Sequence, residues 1–196
     1  MKDLGQLKGN ALREFHLWFE RNYGTEHMAA DAETLPEHLR KLVDPSREAY
    51  GVLASKWYPM ELAHALLDQV ATRFSREELD AIALRAGPEV MNAMMSGLQR
   101  RAFRLLMNPE RYGKYVQTIW RQNFDSGDIE VKMPSPTEQE GRVTNWHGHH
   151  RLICRLIHAG KIAVFEAMGC EGVELELTGC IADGDPACSS RLRWQG

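Results

Sequence analysis

The sequence predicts an α+β fold, an antiparallel sheet packed against a helical layer. Helical patterns fill the first two thirds of the chain, and strand patterns fill the rest with one helix among them. Ile129-Glu-Val-Lys-Met133 and Val173-Glu-Leu-Glu-Leu177 alternate apolar and polar residues, the period of half-buried strands. No Gly-rich phosphate fingerprint follows a strand, which argues against a parallel nucleotide-binding sheet.

In chain order, Leu12, Phe15 and Phe19 recur at helical spacing with Trp18 beside them, so a helix is expected from Leu7 to Tyr23, with Gly24 as its stop. Thr34 and Pro36 open a short helix, Glu37 to Val43, that Asp44-Pro45 breaks. Tyr50 to Pro59 reads as partly extended, and Pro59 stands at the start of a helix from Met60 to Phe74. Ser75-Arg-Glu-Glu78 is a capping box for a helix that should end at Gly87-Pro88. A methionine-rich helix is expected from Glu89 to Met107, closed by Asn108-Pro109, and another from Glu110 to Phe124. After the turn Asp125-Ser-Gly-Asp128 comes the first strand, ended by Pro134 and Pro136. Thr137 to Gly141 reads as a loop, Arg142 to Trp146 as a second strand and His149 to Met168 as a helix. Two terminal strands flank the turn Asp183-Gly184-Asp185-Pro186, where Gly supplies positive φ and Pro fixes φ.

At 196 residues the chain is expected to form one domain, mainly helical over 1–124 and sheet-rich over 125–196. A net charge of −3 argues against a dedicated nucleic-acid binder. The first residues lack the apolar core of a secretory leader, and no apolar run approaches the roughly 18 to 20 residues that span a bilayer, so a cytoplasmic protein without a membrane span is expected. In a reducing compartment the four cysteines, all within the last 43 residues, suggest metal, reactive thiols or burial rather than disulfides.

Cys154 and His158 share a helix face, with His150 one turn earlier, and Cys180 and Cys188 flank the terminal turn. Three thiolates and one further donor would complete a tetrahedral zinc site, the fourth being His158, Glu176 or Glu174. Glu174, Glu176 and Cys180 share a face if their strand is regular. The bland reading has the same cysteines as small core residues.

The histidine-dense Trp146-His147-Gly148-His149-His150 could orient a ligand or hold a catalytic metal, or could simply be a helix entry anchored by Trp146. Arg100, Arg101, Arg104, Arg111, Lys114 and Arg121 read as a solvated helix face. Met94, Met95 and Leu98, with Trp146 and His150, are the candidate lining of a ligand pocket, methionine being adaptable to irregular ligands. No nucleophile elbow or cofactor fingerprint marks an enzyme.

The terminal run from Gly172 through Cys180 and Cys188 to Trp194 resembles the end of vinyl-reductase-type (4VR) domains, which are related to the haem–nitric-oxide-binding fold and to Bet3-like subunits. Phe15-His16-Leu17, Tyr58-Pro59, Gly87-Pro88 and Asn108-Pro109-Glu-Arg-Tyr112 resemble a family restricted to myxobacteria, which implies no activity. The 4VR resemblance implies an α+β fold, a homodimer through N-terminal helices and an enclosed apolar pocket. It also implies a zinc site of three cysteines, matched by Cys154, Cys180 and Cys188, and one glutamate, whose expected place is Leu177. Haem is disfavoured, because no Tyr-x-Ser-x-Arg run is present. The expected function is a non-enzymatic sensory module that encloses a small apolar or aromatic molecule and signals to a separate protein. The alternatives are a Bet3-like scaffold without ligand and, last, a metal-dependent enzyme built on Trp146 to His150.

Overall fold

The computed structural model describes residues 4–95 and 97–195. Strand β1 (Gln6–Lys8) leads into α1 (Gly9–Tyr23), and the short helices α2 (Met28–Thr34) and α3 (Glu37–Arg40) follow. A 3₁₀ turn, Glu48–Gly51, precedes β2 (Trp57–Pro59), which pairs antiparallel with β1. Then come α4 (Met60–Ala71), α5 (Arg76–Met94), α6 (Gly97–Leu106) and α7 (Pro109–Arg121). The remainder is β3 (Asp128–Ser135), β4 (Glu138–Thr144), α8 (Arg151–Ala167), β5 (Glu171–Gly179) and β6 (Cys188–Gln195). The last four strands form one antiparallel sheet in the order β3-β4-β6-β5. This is the expected α+β architecture.

Local chemistry sets most boundaries. The Ser75 hydroxyl accepts from the Glu78 N–H, and the Glu78 carboxylate accepts from the Ser75 N–H, so the capping box is formed. Asn108 caps α7, with Pro109 in its first turn. Three boundaries differ from expectation. Gly87-Pro88 does not end a helix: α5 runs through it to Met94. The break falls instead between Met94 and Gly97, so the expected helix Glu89 to Met107 is divided between α5 and α6, and its Ser96 lies outside the described residues. The Thr137–Gly141 loop is mostly strand, because β4 is paired on both sides.

α5 continues past Pro88 because tertiary packing outweighs the lost backbone hydrogen bond. A Cβ on Gly87 would lie 2.5 Å from Ala159 Cβ and 2.9 Å from the Gly160 nitrogen. The two helices therefore cross at backbone distance, and α8 is held between α5 and the sheet. On the sheet's inner face Gln139, Val143, Cys188, Ser190 and Leu192 are buried. The outer face is an exposed lattice in which Arg191 pairs with Glu138, Glu140 and Glu176. The main core gathers Phe15, Trp18 and Phe19 of α1 with Leu62, Leu66 and Leu67 of α4. No helix among the described residues is long and apolar enough to cross a membrane.

His16 is buried in this core, its ring edge-on to Tyr50, and its Nε2 has no hydrogen-bond partner among the described residues. Desolvation, aided by His27, pushes its pKa down to about 3. The unfolded chain takes up this proton below pH ~6.5 and the folded chain does not, so stability falls as pH drops from about 6.5 towards 3. The slope from this group reaches about 1.4 kcal/mol per pH unit. Urea denaturation at pH 6.5 and 4.5 should show a smaller acid loss in His16→Phe than in the parent; equal losses would clear His16 of this role. Gly87→Ala forces the α5–α8 crossing apart and is expected to cost about 1–3 kcal/mol by the same measurement.

Candidate thiol–imidazole centre and apolar cavity

Four donors converge where the terminal hairpin meets the start of α8. They are His149, Cys154, Cys180 and Cys188, and their ligand atoms all lie within 4.8 Å of one another. Cys154 and Cys180 sulfurs are 3.9 Å apart, and His149 Nε2 is 3.6 Å from Cys180 Sγ. The three thiols are free and buried.

Each donor is placed by its own element. Asn145 takes a left-handed conformation at φ 50°, tolerable for Asn, and turns the chain out of β4. Gly148 follows, so close to Met60 that a Cβ would lie 2.4 Å from Met60 Cγ. His150 caps α8 by accepting from the Leu152 N–H. His149 thus stands just before the cap and Cys154 four residues after it, the two positions whose side chains meet across a helix entry. Cys180 leaves the end of β5 with its N–H donated to Asp185 Oδ2 at 2.8 Å. Cys188 opens β6 opposite Val143.

An ion-pair network fastens this hairpin to the helices. The Asp183 carboxylate accepts from Arg76 of α5 and from Arg151 and Arg155 of α8, and Arg151 also grips Asp80 at 2.7 Å. Hydrogen bonds with Cys154 and Cys188 hold Cys180 well below the usual thiol range, while the same contacts and burial push Cys154 up. Burial opposes a charged His149, but the Cys180 and Cys188 sulfurs outweigh it and push the imidazole up to about 9.

The donor chemistry fits a thiophilic divalent ion. Ligands about 2.3 Å from a tetrahedral centre stand about 3.8 Å apart, close to the sulfur spacing here. Sequence reasoning placed His149 in the histidine run and not with the cysteines. The helical spacing that favoured His158 is real, but His158 Nδ1 faces Ser190 Oγ at 2.8 Å and Lys161 Nζ at 3.1 Å. Glu176 stays on the outer face with Arg191, and Glu174 is exposed beside it. A register shift between Leu177 and Gly179 breaks the alternation, so Cys180 turns inward while both glutamates remain outside. His158, Glu176 and Glu174 thus stand apart from the three thiols, and His149 stands with them. The offset between the residue before the cap and the fourth residue of the helix was the signal that could have found it.

Deeper in the fold lies a cavity of about 150 Å³ between α1, α5, α7, α8 and the sheet. Leu12, Phe15, Val90, Val116, Ile153 and Ile157 are among its apolar lining. Of the pocket candidates only Met94 lines it. Met95 caps α5, and Leu98 is 80% exposed. Trp146 is buried against Trp120 and Phe124, and His150 holds the α8 cap and faces Asp68. His147 is exposed, so Trp146 to His150 do not converge as a set; the basic run is likewise exposed.

No known family profile matches the chain. No curated protein matches it by sequence. Solved structures do match in fold. An H-NOX protein from S. oneidensis in the Fe(II)NO ligation state superimposes with TM-score 0.65 at 11% identity, over 97% of this chain and 100% of that one. A Fe(II) unliganded H-NOX protein from K. algicida gives 0.63 at 13% identity, over 97% of each. A structure from work on heme distortion in the H-NOX family gives 0.60 at 10% identity, over 97% of this chain and 96% of that one. At such identities the likeness shows the fold alone.

These comparisons correct the cofactor expectation. The chain has the fold in which those H-NOX structures are described with ferrous iron and heme, so a missing Tyr-x-Ser-x-Arg run is no ground for setting haem aside. Among the lining residues, Tyr112, Met91 and Met94 are of types that ligate haem iron, and no histidine or cysteine lines the cavity. A space of about 150 Å³ holds roughly one aromatic ring, so the cavity in this form does not fit a tetrapyrrole, and no chemistry is routed through one here.

Asp183→Ala leaves Arg151 and Arg155, both mostly buried, with Asp80 as their one remaining carboxylate among the described residues. Thermal melting should show a loss of roughly 2 kcal/mol. Amide exchange should rise first over residues 180–188; a uniform rise would mean the network does not hold the hairpin specifically.

Proposed function

We propose that the chain is a ligand-sensing domain whose cavity encloses a small apolar or aromatic molecule, with the thiol–imidazole centre clamping the terminal hairpin to α8. The observation that carries this reading is the apolar cavity bounded by α8, the helix that also bears Cys154. Apolar cavities of this size take up single-ring molecules without water to displace. An occupant pressing on Ile153 and Ile157 acts on the same helical turns that carry Cys154, so occupancy is felt at the hairpin and can be passed to a separate signalling protein. His149, Cys154, Cys180 and Cys188 would hold a divalent ion in a closed, structural site. Haem is the second reading, favoured by the shared fold, and would need the cavity to open.

Toluene is the test probe. At about 100 times its dissociation constant it should stabilise the protein by about 2.7 kcal/mol, read as a rise in melting temperature. Val116→Phe, which fills the cavity, should fold and lose that response. No rise in the parent protein would sink the apolar reading. Titration with hemin that yields a one-to-one complex with a Soret band would put haem in its place.

Elemental analysis should find about one equivalent of a thiophilic divalent ion per chain. His149→Ala and Cys188→Ser should lose it, and His158→Ala and Glu176→Ala should keep it. Retention in His149→Ala would overturn the ligand set.

A further inference from the structure

Among the described residues Lys161 is the one charged side chain that lines the apolar cavity, and it is buried. Its amine donates to His158 Nδ1 and to Ser190 Oγ, both at 3.1 Å. Neither neighbour carries negative charge: Ser190 is neutral, and burial beside Lys161 holds His158 far below its usual pKa, so it is uncharged. No carboxylate pairs with Lys161 among the described residues, although almost every other buried or half-buried charge in this fold has such a partner, from Asp31 with Arg73 to Asp183 with its arginines. An ammonium has three N–H groups, and the third has no partner among the described residues. The sheet makes room at this point. Gly141 lies opposite, where a Cβ would sit 3.2 Å from the amine.

A buried cation without a carboxylate partner is costly, and such a group is usually paired or neutralised. Desolvation lowers Lys161, to about 8, against the Cys154 and Cys188 sulfurs, which favour its charged form. The amine is thus a polar group left incomplete at the wall of an otherwise apolar space.

Resting on the cavity reading above, we infer that Lys161 is the anchor of the ligand and that the ligand is an apolar molecule of about one ring bearing a single carboxylate. The carboxylate supplies the missing acceptor as a directly bonded anion, the stronger partner for an ammonium N–H. A neutral carbonyl would satisfy the N–H with the weaker bond of an uncharged acceptor. A phosphate would bring more charge than one amine offsets.

Calorimetric titration at pH 7 with benzoate and with toluene tests the inference on the full chain. The parent should bind benzoate more tightly than toluene. Lys161→Met should lose about 30-fold or more in benzoate affinity and keep toluene, since truncating one partner of a buried charged pair removes the pair and leaves the apolar contacts. Toluene binding with no benzoate binding in the parent overturns the anchor and leaves the cavity reading intact. Failure of both probes overturns the cavity reading itself. A Lys161→Met protein that melts cooperatively yet loses both probes equally assigns Lys161 a structural role and overturns the anchor. Should that variant not fold, the order of the two affinities in the parent decides: benzoate weaker than toluene overturns the inference.

Discussion

The close crossing of α5 and α8 is the contact on which the rest of this structure depends. It exists because Gly87 and Gly160 present no side chain where the helices meet; Gly160's missing Cβ would stand 3.3 Å from the Gly87 carbonyl oxygen. The resulting depth of α8 sets everything it carries. Its first turn brings Cys154 to the hairpin, and its flank turns Ile153, Leu156, Ile157 and Lys161 to the cavity. Helices held at the usual 8–10 Å separation or beyond would move the thiol and the cavity wall together.

The same helix is tied to the terminal hairpin twice, by different chemistry. The arginines on Asp183 are directional, charge-assisted bonds at the partly exposed rim. The thiol–imidazole centre lies beneath them, where burial sharpens every electrostatic term. Between them the loop from Ile181 to Pro186 has little freedom, and Asp185 adds a third tie through the Cys180 N–H. A ligand that shifts α8 acts on both ties at once, which gives a small displacement a mechanical route to the surface.

Buried polar groups divide into two kinds in this fold. Asp31 is complete, with Tyr50 and Arg73 on its oxygens, and it knits α2 to α4's far end and the 3₁₀ turn. Among the described residues His16 and Lys161 are incomplete, one lacking a partner for its Nε2 and the other an acceptor for its third N–H. A neutral histidine in the core costs acid stability, and its unpartnered Nε2 costs desolvation at every pH. A lysine at a cavity wall is different, because an incoming molecule can reach it.

Much of the architecture is legible in the sequence because it follows from local rules. Alternation at Ile129–Met133 and Val173–Leu177, the Ser75–Glu78 box, the Asn108 cap and the turn at Gly184 depend on neighbours a few residues away. The three cysteines that converge could be named from the chain, since a tight turn brings its flanks together. What only the tertiary structure decided are outcomes of competition between distant segments. Pro88 stays inside a helix because α8 packs on Gly87 there. His149 joins the thiols and His158 does not, because Ser190 and Lys161, brought from the sheet and the next helical turn, claim the His158 imidazole first. Cys180 leaves the face of Glu176 because a strand shifts its register. The cavity belongs to no segment at all: it is the space left when five elements pack as closely as their side chains allow, and no local pattern encodes a volume that exists only between them.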